Sequence, residues 1–180
     1  MDVREFVAKS ITKVRQSTVQ MVHELSQRDI RWQPAPCANT VGFLLFHIFR
    51  VEDRFLRSWL GGNGELWERE GWKQAWALPV TDPNSARASL SDTGFGWTAE
   101  QVRSWEPPPK AELLDYGQRI RGETLNIIKN LDPRVLHVVP NPDRPNLTYA
   151  DYLHQTSHHE AQHQGQIDYI IGMLHGQSGV

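Results

Sequence analysis

Apolar residues recur at steps of three and four in four separate stretches of this chain, and no alternating pattern of any length appears. A period near 3.6 marks one face of a helix, and a period of two marks one face of a strand. The sequence therefore predicts an all-α protein, and LHVVP at 136–140 is too short to build a sheet. At 180 residues, a single domain spanning 1–180 with a sizeable core is expected.

The first stretch carries Val3, Val7, Ile11, Val14, Thr18, Met21 and Leu25 as one buried stripe. Gln33-Pro34-Ala35-Pro36 interrupts it, because proline cannot continue a helix and restricts the residue before it. A second helix is expected from about residue 40, capped by Asn39 or Thr40, to Leu60, with Gly61-Gly62 as its stop. Leu113, Gly117, Ile120, Thr124, Ile127 and Leu131 define a third, ended by Asp132-Pro133. A fourth is expected to start at Thr148 and run to about His175, with Gly176 past its end. Four long amphipathic helices with one long connection describe a four-helix bundle.

That connection, residues 61–109, holds five of the seven tryptophans (Trp67, Trp72, Trp76, Trp97 and Trp105) among glycines and prolines. Thr98 with Gln101 three residues on resembles a capping box, which predicts a short helix over 98–104. A connection of this length is either functional or carries structure of its own. It reads as a tryptophan-pinned packing loop or as a lid and pocket wall.

Half of the eight histidines fall in HQTSHHEAQHQGQ, residues 154–166. Each helical residue turns by about 100°, so Tyr152, Ile167, Ile170 and Leu174 all lie within about 40° of His163 and define a core stripe. His159 shares that stripe at about 40°, whereas His154 and His158 fall about 180° and 140° away. Two inward imidazoles one turn apart either converge on a metal or are packed as hydrogen-bonded core residues, and a dry core leaves their nitrogens stranded. The second helix supplies His47 between Phe43 and Val51. Three neutral imidazoles on facing helices would leave one tetrahedral position open, the pattern of a catalytic zinc site. Gln166 lies on the same face and could order a ligand ring or water. Arg54, and less directly Arg50, could offer an anion contact, although a salt-bridged edge is the plainer reading. Arg54 and Gln166 are the expected cofactor contacts. Of the nearby acids, Glu52 and Asp53 turn away from His47, while Glu160, about 60° from His163, stays a candidate general base. His23, His137 and His175 have no partner in the pattern, and Cys37 reads as an ordinary loop thiol.

Trp32-Gln33-Pro34 followed by TVGFLLFHI, together with the H-x-x-x-H-x-G-Q-I motif at His159, His163, Gly165, Gln166 and Ile167, resembles the DinB-like superfamily. The motifs cover the first two helices and the last, and the third helix agrees by periodicity and position. The tryptophan-rich connection matches nothing in the family pattern. The resemblance implies a four-helix bundle, often a homodimer, holding zinc or nickel through His47, His159 and His163. It also implies a thiol S-transferase that uses a low-molecular-weight thiol on an electrophilic small molecule. A metal-dependent hydrolase and a non-catalytic, metal-stabilised binding bundle are the alternatives.

A net charge of −2 without a basic tract argues against nucleic acid as partner. No segment approaches the roughly 18 uninterrupted apolar residues of a membrane span, and none resembles a signal peptide. One cysteine excludes an internal disulfide and points to a reducing cytoplasm. Imidazole suits several metals, so the sequence does not choose between zinc and nickel.

Overall fold

The structure is a computed structural model that describes residues 2–59, 64–85 and 88–176, with backbone alone for 56–59. Among the described residues it is all-helical. The elements are α1 (Val3–Val22), α2 (Gln27–Arg31), α3 (Val41–Trp59), α4 (Leu66–Arg69), α5 (Trp72–Ala75), α6 (Ala99–Ser104), α7 (Lys110–Asn130) and α8 (Tyr149–His175), with 3-10 turns at Ala88–Thr93 and Pro133–Val135. The long helices pack in a ring of contacts: α3 lies against α7 and α8, and α1 lies against the same two.

Local chemistry sets most of the boundaries. Thr40 caps α3 by accepting the Phe43 N–H at 3.1 Å. Thr98 and Gln101 form the expected capping box of α6, and Thr148 does the same for α8 with Asp151 at its third position. Gly176 closes α8 in the left-handed conformation, φ 65°. The expected stop of α3 at Leu60 and Gly61-Gly62 lies outside the described residues.

Two sequence expectations need correction at α1. The helix ends at Val22 rather than continuing through Leu25, because Ser26 and Asp29 build a capping box that starts α2. Its buried positions are Ile11, Arg15, Thr18 and Val22, whereas Val3 is 42% exposed. The core face thus includes a charged residue that a hydrophobic stripe passes over.

Arg15 belongs to a quartet taken one residue from each long helix: Arg15, Glu52, Arg121 and Glu160, none more than 4% exposed. Glu52 accepts from Arg15 at 2.7 Å, from Arg121 at 2.8 Å and from Thr124 at 2.7 Å. Glu160 accepts from Arg15 at 2.7 Å and from Arg121 at 2.6 Å. Burial alone would raise the Glu52 carboxyl, but Arg121 and Arg15 hold it down at about 2. Beside the quartet, Gly117 lets α7 approach α3 closely, since a Cβ there would meet the Phe49 ring at 2.7 Å.

The connection between α3 and α7 carries structure of its own. Trp67, Trp76 and Trp105 are buried, and Trp97 packs on the same core with Phe46. Arg50, fully buried, ties the segment to α3 by donating to Glu65 at 2.8 Å, to the Asp92 side chain at 3.0 Å and to the Asp92 carbonyl at 3.2 Å. Asp53 accepts the backbone N–H groups of Leu66 and Trp67 at 3.0 and 2.8 Å, satisfying the start of α4. No helix among the described residues is long and apolar enough to cross a membrane.

Candidate metal centre

Because α3 and α8 lie side by side, residues at one level of their facing stripes meet. His47 from α3 and His159 and His163 from α8 form a cluster whose ligand nitrogens all lie within 4.8 Å of one another. His159 Nε2 stands 3.2 Å from His47 Nε2 and 3.1 Å from His163 Nε2. Two imidazoles bound at 2.0–2.1 Å to a tetrahedral ion would be about 3.3 Å apart, so the spacing suits one shared cation.

The far nitrogens fix which atoms face inward. His47 Nδ1 lies 2.6 Å from the Thr93 carbonyl, which only accepts, so this nitrogen carries the proton. His163 Nδ1 lies 3.1 Å from the Gln166 amide oxygen and donates to it in the same way. Both neutral rings therefore turn an Nε2 lone pair toward His159. A proton on His159 Nε2 would serve one of them and leave the other facing bare. A cation satisfies all three, which is how metal-bound histidines are held by partners on their other nitrogen.

Burial keeps the rings neutral. It lowers the His47 pKa to about 4, the Thr93 carbonyl opposing and His163 adding to the shift. It lowers His159 to about 3, helped by His163 and His47, and lowers His163 as well, against the hydrogen bond to Gln166. At neutral pH the donor set is three uncharged imidazoles, the protonation state that metal binding requires. Phe43, one turn before His47, stacks on its ring at 5.9 Å with an interplanar angle of 8°.

The cluster lies in a cavity of about 600 Å³. Phe43, Val51 and Phe55 from α3 line one wall, and Thr93, Phe95 and Trp97 from the connection line another. Gly94 fits between them only because it lacks a side chain: its φ is 82°, and a Cβ would meet the Phe43 ring at 2.7 Å. The connection is thus both a packing element and a pocket wall.

The remaining sequence candidates fall as follows. Gln166 is exposed and touches the cluster through His163. Arg54 donates to Asp92 at 2.7 Å and lies outside the cavity lining. Glu160 is occupied by Arg15 and Arg121, so it is not free to act as a base. His154 and His158 stack on each other at the exposed face, with ring centroids 5.6 Å apart. His23, His137 and His175 are exposed, as is Cys37. Two contributors escaped sequence reading. Thr93 acts through its carbonyl, which no side-chain pattern reports, and Arg144 lines the cavity from the proline-rich loop before α8.

The sequence model of the DinB superfamily matches residues 10–167, which include all three histidines. The chain belongs to the DinB superfamily. A solved structure described as the conserved protein of locus from Enterococcus faecalis superposes with a TM-score of 0.81, covering 98% of this chain and 99% of that one. At 18% identity, this likeness shows a shared fold and no more. No curated protein matches the sequence.

Proposed function

We propose that the four long helices form a single-domain four-helix bundle that binds zinc or nickel through His47, His159 and His163. In this reading it transfers a low-molecular-weight thiol to an electrophilic small molecule. One observation carries the reading: three imidazoles with more inward acceptors than protons converge in the lining of a mostly apolar cavity. Membership of the DinB superfamily supports it. An ion held there would favour the thiolate form of a thiol that reaches it. The chain's own groups do the rest. Thr93 and Gln166 hold the ring tautomers, Phe43 orients His47, and Phe95 and Trp97 hold the apolar substrate and exclude water. In the transfer, sulfur forms a bond to the electrophilic carbon, the leaving group departs with its bonding pair, and the thiol proton passes to solvent.

Hydrolysis fits less well. It needs a base near the attacking water, and no carboxylate lines the cavity among the described residues. The test begins with elemental analysis of tag-free protein beside His163→Ala. About one zinc or nickel per chain, absent from the variant, is the expected result for a three-histidine site. Metal-loaded protein is then assayed with thiols and 1-chloro-2,4-dinitrobenzene. No metal after reconstitution sinks the whole reading. Bound metal that raises Tm without turnover on any thiol and electrophile leaves only a binding role.

A further inference from the structure

Two hollows meet at one side chain. The histidine cavity has a neighbour of about 230 Å³, lined by Thr81, Asp82, Ser91, Thr98 and Gln101. Phe95 and Gly96 line both spaces. Glycine has no side chain, so among the described residues the Phe95 ring is what divides them. The ring is 42% exposed, although Phe43, Val51 and Phe55 stand across the histidine cavity and would bury it further.

The chain is anchored on either side of this ring and pivoted between. Upstream, Thr93 is buried, its hydroxyl donating to the Leu90 carbonyl at 2.6 Å and its carbonyl engaged by His47. The Gly94 N–H donates to the Ser91 carbonyl at 3.0 Å. Downstream, Trp97 packs against the core and its Nε1 donates to the Ser91 carbonyl at 2.8 Å. The Trp97 N–H returns to the Gly94 carbonyl at 3.2 Å, closing a four-residue turn with Phe95 and Gly96 at its tip. Gly96, φ 83°, takes the third position, where a positive φ calls for glycine. Glycine adopts either sign of φ about as readily, so the tip can turn over while its anchors stay. The Phe95 N–H donates to the Thr93 hydroxyl at 3.4 Å, a long and weak contact to give up.

We propose that Phe95 is a gate on the histidine cavity. Turning at Gly96, its ring moves between the cavity, which it closes, and the second hollow, which leaves the mouth open. Thr93 stays fixed through the swing, so His47 keeps its partner while the mouth opens. Phe95 is then the residue that sets the size of molecule able to reach the histidines. The gate requires the cavity alone and stands whether or not the histidines hold an ion.

The experiment pulses metal-free, full-length protein with diethylpyrocarbonate, which acylates neutral imidazole, and locates the modified histidines by mass spectrometry. The exposed His154 and His158 are the internal reference. Phe95→Ala should speed modification of His47, His159 and His163 relative to that reference about fivefold, the weight of roughly half a phenylalanine side chain's burial. Phe95→Trp should slow it. Motion is read separately, with 4-fluorophenylalanine placed at position 95. Its fluorine resonance should show exchange on the microsecond-to-millisecond scale of gating loops, and Gly96→Ala, which penalises the positive φ, should collapse it to one state. Cavity-histidine rates unchanged in Phe95→Ala overturn the gate. A single fluorine resonance that neither exchanges nor moves in Gly96→Ala overturns it as well, leaving Phe95 a fixed wall.

Discussion

Two of the polar clusters buried between the helices are built on opposite plans. In the Arg15–Glu52–Arg121–Glu160 quartet, donors meet acceptors and two positive charges face two negative ones. In the histidine cluster, inward acceptors at 3.1–3.2 Å outnumber the protons available to them. Neighbouring residues of one helix serve the two plans, His159 turning to one and Glu160 to the other. An interior tolerates polar groups only when they are paired. The cluster that the chain completes by itself needs nothing further, and the cluster that it leaves incomplete is where a component from outside could fit.

The strongest way to break this contrast is to unbalance the quartet. Glu52→Gln should destabilise the metal-free protein by about 3–5 kcal/mol in chemical denaturation, because a buried arginine loses its counter-charge. Replacing all four members together by apolar residues of similar size should recover most of that loss; a costless Glu52→Gln would mean the quartet is not a unit. Next in size is the metal effect. At free metal about 1,000 times the Kd, binding should add about 4 kcal/mol to wild type and nothing to His47→Ala, His159→Ala or His163→Ala. Without metal, His159→Ala should stay within about 1 kcal/mol of wild type, since it removes an ill-matched lone pair, whereas His47→Ala should cost more because the Thr93 carbonyl loses its donor.

Acid sharpens the contrast further. The Glu52 carboxyl is held near 2 in the fold against 4.5 for the free side chain, so the unfolded chain takes up the proton first as pH falls. Its contribution is therefore complete above about pH 4.5 and is lost progressively toward about pH 2. Denaturation of metal-free protein across that window should show a steeper fall for wild type than for Glu52→Gln; parallel curves would contradict the assignment. The smallest effect is expected at the edge of the histidine cluster. Gln166→Ala should weaken metal binding about tenfold, the cost of losing a partner on the ligand's other nitrogen. His154→Ala and His158→Ala should leave calorimetric metal affinity unchanged.

Helix periodicity carries direction as well as identity, which is why the histidine register was legible in the sequence. His159 and His163 share the stripe of Ile167 and Ile170, and the i, i+4 pair His154 and His158 does not. Features that depend on the path of irregular chain were not legible. The Thr93 carbonyl reaches His47 from a 3-10 turn 46 residues away. Arg144 reaches the cavity from a turn whose place relative to α3 no periodicity encodes, whereas Arg54, on the expected face, meets Asp92 instead. The quartet was missed for another reason: a hydrophobic stripe steps over Arg15 to Val14. A charge at a core position on each of four amphipathic segments, summing to zero, is the signal that would have shown it.

Because the quartet draws one member from each long helix, it also bears on how the chain assembles. Any three of those helices bring together three of the four charges and leave a surplus of one in a dry interior. A partly docked intermediate is therefore penalised until the fourth helix arrives. The charges act as a parity check on assembly, favouring a helical fold that closes as one cooperative unit over one that settles helix by helix.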